Sequence, residues 1–205
     1  MSNTVIASLL SRTTTSLYDP AATLSDEQIR ELVRVATTAP TAFNFQNWRF
    51  IAVRTPEAKA TLRTLAWDQP KITDAAVTFI VCGQLIDYSV LPQRLAPAVA
   101  AGIMPAQMVE GWQGAARGLY FEQPQRQRDE AVRSGAIGAT ALIYAAHAQG
   151  LGSTPMIGFD ADAVARTFAL ADSELPVMLV SVGRALPENW PQKPRRPVAD
   201  VLDFI

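Results

Sequence analysis

Between positions 39 and 50 the chain reads A-P-T-A-F-N-F-Q-N-W-R-F, setting a hydroxyl (Thr41) and two side-chain amides (Asn44, Gln46) among apolar residues. An amide side chain both donates and accepts hydrogen bonds, so such a loop suits the edge of a heteroaromatic ring that does the same. Loops held by a rigid scaffold are also where binding residues concentrate. A second group of chemically able residues sits at the two ends of the chain. Arg12 precedes the hydroxyl run Thr13, Thr14, Thr15 and Ser16, and the far end carries Lys193, Arg195 and Arg196. Cations backed by neutral donors are what a phosphate monoester needs, and arginine can grip it bidentately. On spacing alone the Lys-Pro-Arg-Arg run also reads as a solvated tail. A third group is the glycine-bearing loop G-L-G-S-T-P-M-I-G at 150–158. It can bring backbone N–H groups close to a ligand, or it can be a structural turn.

What is missing narrows the chemistry further. A single histidine, His147, and a single cysteine, Cys82, exclude a multi-histidine or cysteine metal centre and a disulfide framework, and argue against a histidine-based triad. Gly150-x-Gly152 stands at a helix end, not between a strand and a helix start, so it is no dinucleotide fingerprint. The chain has no Walker lysine, no G-x-S-x-G elbow and no H-E-x-x-H. A net charge of −1 provides no basic field for nucleic acid or an anionic membrane. No uncharged apolar run reaches the ~18 residues of a membrane span. The first ten residues lack the basic start and long apolar stretch of a signal peptide, so the expected location is cytoplasmic.

The elements that must position these groups follow from periodicity and punctuation. A short helix is expected over 5–11 and a turn at Asp19-Pro20. The S-D-E-Q run at 25–28 is a capping-box start, followed at helical spacing by Ile29, Leu32, Val33 and Ala36 and stopped by Pro40. Residues 48–53 read as a strand. Thr55-Pro56 opens a helix, with proline at its favoured first position. The unbroken apolar run at 77–82 is a strand buried on both faces, with Cys82 as a core thiol. Residues 87–121 form an excursion of two helices, whose aromatics Trp112, Tyr120 and Phe121 look exposed. They could line a ligand site, meet another subunit or simply pack. A long helix spans 127–149, and its uncharged, small-residue stretch 135–146 suits a buried position at a dimer interface. His147 near its end suits the negative pole of the helix dipole. A helix capped by Asp160 covers 160–168, a third buried strand covers 176–182, and the apolar tail 201–205 has strand character. With 205 residues, 49% of them hydrophobic, a single domain over 1–205 has enough apolar material for a sizeable core. Charged residues are only 18%, which points to surface covered in an oligomer. The pattern gives an α+β fold, an α/β sandwich with one central sheet.

Five of these segments, in order, resemble the nitroreductase family of flavoenzymes. R-T-T-T-S-L-Y-D-P at 12–20 is similar to the family's opening R-R-S-x-R/K-x-F-D-P. The 39–50 segment is similar to A-P-S-x-x-N-x-Q-P-W-x-F. K-I-T-D-A at 71–75, residues 150–160, and K-P-R-R-P at 193–197 match three further family segments. The resemblance implies a mostly antiparallel central sheet flanked by helices, with a C-terminal strand added to the partner subunit's sheet. It implies non-covalent FMN at a homodimer interface, NAD(P)H as co-substrate, and hydride passed by a ping-pong mechanism to small electrophiles such as quinones or nitroaromatics. Carried over by position, Arg12, Lys193 and Arg195 would hold the phosphate, Thr13 and Thr14 would donate near the phosphate and flavin, and Ser16 would stand toward the flavin's pyrimidine side. Pro40, Thr41 and Asn44 would reach the flavin of the partner subunit. Lys71 would lie near the ring's N1/O2 pole, where positive charge favours reduction. Pro155 and Met156 would lie along the ring, with the Ile157 N–H directed at N5 and Gly158 beside it. The chain departs from the family pattern at Thr13 (usually basic), at Ser16 (often basic) and at Asn47, where a proline is usual. Semialdehyde or enal reduction, dehalogenation and a non-catalytic flavin-binding redox sensor are the alternatives that the same resemblance leaves open.

Overall fold

The computed structural model describes residues 4–205. The first helix, α1 (Thr4–Ser11), is followed by α2 (Asp26–Ala36), β1 (Trp48–Val53), α3 (Pro56–Thr64), the single turn α4 (Lys71–Asp74) and β2 (Val77–Gln84). Then come α5 (Leu91–Ala100), α6 (Met108–Tyr120), α7 (Pro124–Ala148), β3 (Gly152–Met156), α8 (Ala161–Thr167) and β4 (Glu174–Gly183). The four strands make one antiparallel sheet in the order β1-β2-β4-β3, so the α+β expectation holds.

Local chemistry accounts for many of the boundaries. The Ser25 hydroxyl accepts from Gln28 N–H while the Gln28 side chain accepts from Ser25 N–H, a complete capping box at the start of α2. That helix ends at Ala36, four residues short of Pro40. Thr55 caps α3 with Pro56 at its first position, and Asp160 caps α8. At the end of α7 the N–H of Leu151 bonds to Ala146 O and that of Gly150 to His147 O. Gly150 has φ +72°, and this paired bond pattern is the Schellman stop that glycine favours. His147 lies in the last turn, and its Nε2 is 2.8 Å from Ser11 Oγ.

The central pair β2 and β4 carries the core. On one side Val77, Phe79, Val81, Val180 and Val182 pack against α2 and α7. On the other, Ile80, Cys82 and Leu179 pack against α3, α4 and α8. Helix α7 lies close to the sheet because small residues face it: a Cβ added at Gly83 would stand 1.9 Å from Ala131 O, and one at Gly135 2.9 Å from Val177. Burial pushes the Cys82 thiol up to about 12, which keeps it protonated and inert. At one end of the sheet the buried Glu174 accepts from Arg49 (2.8 Å), Gln84 (3.1 Å) and Ala171 N–H (3.1 Å). Burial raises its carboxyl, but these hydrogen bonds and the guanidinium outweigh burial and hold it below the usual range.

Two expectations are corrected. Residues 152–156 form a strand, not a loop. Proline is tolerated there because β3 is an edge strand. Tyr120 is buried, its hydroxyl donating to Glu130 at 3.1 Å. The excursion closes over its own small core, in which Phe45, Leu91, Leu95 and Tyr120 are buried. In the single chain the long helix leaves Ile137 and Thr140 exposed, on the face expected at a dimer interface. In the single chain residues 201–205 stand exposed, open to the partner subunit on whose sheet the strand is expected.

Candidate active site

The edge strand β3 organises the site. Along its free side runs the hydroxyl segment: Thr14 bridges Ser153 in parallel register, and Thr15 N–H donates to Ser153 O at 3.0 Å. Thr154 Oγ1 donates to Thr15 O, and the Tyr18 hydroxyl bonds Thr154 Oγ1 (2.8 Å) and Ser181 O (3.1 Å). Burial raises the Tyr18 phenol above its ordinary value, so it acts as a fixed neutral strut. After β4 the chain returns over this segment, with Asp19 N–H donating to Arg184 O (3.0 Å) and Leu186 N–H to Leu17 O (3.1 Å).

Where the two segments meet they enclose a narrow polar cavity of about 50 Å³. Its wall includes Thr14, Ser16, Gln192, Lys193 and Arg195, with Trp190 and Pro191 as the apolar side. None of its lining residues is acidic. Among the described residues, neither Lys193 nor Arg195 pairs with a carboxylate, whereas Arg196 lies 3.8 Å from Asp200. The Arg195 guanidinium is fixed by Lys193 O and Gln192 Oε1, both at 3.0 Å, and the Lys193 ammonium lies 5.6 Å from the Trp190 ring centre. Two free cations and two hydroxyls suit a dianionic phosphate group. Arg12 is fastened beside the cavity through its carbonyl, which accepts from Gln192 Nε2 at 3.1 Å. Thr13 is not among the lining residues.

At the other end of β3 lie Ile157 and Gly158, about 13 Å from Ser153 at the rise of a strand. Ile157 is 78% exposed. The turn before α4 is stitched to this point: Gln69 Nε2 donates to Gly158 O at 2.9 Å, and Asp160 N–H to Leu65 O at 2.8 Å. The Trp67 ring covers Gly158 so closely that an added Cβ would meet it at 2.6 Å. Lys71 opens α4 just beyond Gln69 and has no carboxylate partner among the described residues. Pro155 is half-buried on β3, while Met156 is buried in the core. Met156 therefore offers a ligand its backbone, not its side chain.

The loop after α2 is not part of that cavity. Its Thr41 hydroxyl accepts from Gln46 N–H at 2.9 Å, which leaves its O–H hydrogen to donate. Phe43, Asn44 and Gln46 take left-handed backbone, φ 50°, 57° and 50°, which non-glycine residues adopt at a cost. Phe43 packs edge-on against Trp112 and Phe45 against Tyr120, so the excursion holds this conformation in place. Asn44 is exposed. Asn47, in place of a proline, links the loop to β2 by donating from Nδ2 to Gln84 O at 2.9 Å. Ala39, at the base of the loop, borders an apolar groove of about 450 Å³ on the outer face of α7. A larger groove of about 600 Å³ adjoins it between α1, α2 and α7. These grooves are far more apolar than the cation cavity and suit protein contact better than redox chemistry.

Sequence reasoning missed Trp67, Gln69, Asn189 and Gln192. Each acts through contacts with residues far away in the chain, and no spacing signals them.

The family model described as Nitroreductase family matches residues 9–184. YdgI of Bacillus subtilis is 35% identical over 178 residues, covering 84% of both chains. A Thermus thermophilus protein named NADH dehydrogenase is 30% identical over 164 residues, 80% of this chain and 78% of its own. Among solved structures, a protein from Exiguobacterium sibiricum in complex with FMN superposes with a TM-score of 0.90 at 28% identity, over 98% of this chain and 96% of its own.

Proposed function

The chain belongs to the nitroreductase family, and from that premise we propose that it is an FMN-dependent oxidoreductase. It takes hydride from NAD(P)H and passes it to small electrophiles such as quinones or nitroaromatics in a ping-pong cycle. Bound FMN supplies the two-electron chemistry, while the protein supplies position and electrostatics. The observation that carries this reading is the meeting of chain ends 180 residues apart around one cavity of cations and hydroxyls. Lys193 and Arg195 would hold the phosphate there, with Thr14 and Ser16 as neutral donors and Arg12 alongside. The length of β3 separates that anion site from Ile157, Gly158 and Lys71, where the ring would lie. The Lys71 ammonium would favour electron gain by a ring beside it. Trp67 and Gln69 would hold the Ile157–Gly158 backbone still.

The protein works as a homodimer in this reading. The apolar grooves beside α7, the exposed Val5, Leu9 and Ile137, and the apolar tail ending in Phe204 and Ile205 are surface that a second copy would cover. The loop carrying Pro40, Thr41 and Asn44 starts at the edge of that surface, so it reaches the partner's site and not its own. The test is the visible absorption spectrum of the purified protein, followed by anaerobic addition of NADH and then NADPH. Flavin bands that bleach on addition are expected. A protein that stays colourless after incubation with FMN refutes the reading.

A further inference from the structure

We propose that Asn189 is the positioning residue that closes the anion clamp, selecting a phosphorylated flavin over its unphosphorylated form. The inference rests on the reading of Lys193 and Arg195 as phosphate ligands. The backbone ladder between the two chain ends stops early. Its last bond, Leu186 N–H to Leu17 O at 3.1 Å, lies before Lys193 and Arg195 are reached. Past Leu186, among the described residues, no backbone–backbone bond joins these segments. The cation-bearing stretch is held to the hydroxyl segment by two side chains.

Asn189 is the first of them. Its Oδ1 accepts from Ser16 N–H at 2.6 Å and Leu17 N–H at 2.9 Å. Its Nδ2 donates to Leu17 O at 2.7 Å and Leu186 O at 2.8 Å. Two acceptor sites and two donor hydrogens are the full capacity of an amide side chain. An aspartate would lose both donors, and a serine lacks the second arm. Gln192 is the second side chain, joining Arg12 O to the Arg195 guanidinium. Asn189 is not among the lining residues of the cavity, yet it binds the backbone of Ser16, which is. It therefore sets the distance between Ser16 and the cations that follow at 193 and 195 without touching the ligand itself.

A positioning role at the phosphate end has a signature that general loosening lacks. Equilibrium binding of FMN and of riboflavin to the full-length chain, freed of flavin by dialysis, reads it directly. Wild type is expected to prefer FMN strongly. Asn189→Ala should weaken FMN binding about tenfold or more, about 1.4 kcal/mol, and leave riboflavin binding unchanged. Gln192→Met, which keeps the volume and removes both bonds, should do the same and guards against misfolding of the first variant. Equal weakening of both flavins by Asn189→Ala would reduce Asn189 to a structural tie, and FMN binding left unchanged by that variant would overturn the proposal whatever Gln192→Met does. A wild type that binds the two flavins equally would instead refute the phosphate clamp, and the role of Asn189 with it.

Discussion

Replacing Gly83 by alanine tests how α7 is seated on the sheet. The new Cβ would lie 1.9 Å from Ala131 O, 2.4 Å from its carbonyl carbon and 3.0 Å from its Cα. These atoms are helix backbone, so no rotamer relieves the clash. Restoring an ordinary contact of about 3.4 Å requires α7 and β2 to part by about 1.5 Å. A gap of that size forfeits much of the dispersion energy along the interface, where Ala131, Ala139, Leu142 and Ala146 are fully buried. Overpacking with only side-chain adjustment costs about 1–3 kcal/mol. A backbone clash belongs at or above the top of that range, so about 3 kcal/mol is expected. For a chain of this length that corresponds to a fall in Tm of roughly 6–12 °C. The internal control has the opposite sign. Gly111, Gly114 and Gly118 lie on α6 with nothing within 4 Å of an added Cβ. Alanine there should stabilise by about 0.5–1 kcal/mol each through helix propensity. Calorimetry or circular dichroism melts at fixed protein concentration measure both. If Gly83→Ala melts within a degree of wild type, α7 does not approach β2 as described and the packing argument fails.

Further outcomes follow from the charged groups. Lys71→Ala should lower the midpoint potential of bound flavin by about 30 mV or more, equivalent to about 1.4 kcal/mol for two electrons. An unchanged potential in a variant that still holds FMN would remove Lys71 from its proposed role. Glu174→Gln should cost about 2 kcal/mol at pH 7, the scale of hydrogen bonds to a charged group. Because the folded carboxyl titrates below its unfolded value, its contribution is fully present above about pH 4.3 and is lost as pH falls through the folded value. Urea midpoints for wild type and variant should therefore converge as pH drops from 7 to 3, and a constant gap would rule out the ionic account.

Sequence alone revealed those elements whose signals are local. The Ser25 box, Pro56 at a helix start and the unbroken apolar run of β2 each act within a few residues, and each element formed where expected. The strand β3 did not announce itself, because Gly152 and Pro155 are poor strand formers and only Thr154 of its five residues favours a strand. It exists because β4 supplies a ladder on one side and residues 14–15 partly cover the other. Tyr120 looked like a surface aromatic because its partner, Glu130, lies across the α6–α7 turn. At the site, the cations and hydroxyls were visible by type and by family pattern. Met156 falls within the same family pattern, but the two-residue alternation of a strand sends its side chain to the core. The amides that assemble the clamp were invisible, since an asparagine in a proline-rich stretch has the composition of any loop.

The joining of the two chain ends also has a consequence for how the protein is made. The hydroxyl segment at 13–16 is synthesised well before the cations it faces. Its cationic counterpart arrives 180 residues later, roughly 10–40 s at ordinary synthesis rates. Until then the hydroxyls beside β3 lack the cations they face. The cavity thus waits on both segments, and a nascent chain stalled before Lys193 cannot present it, however well the central sheet has folded.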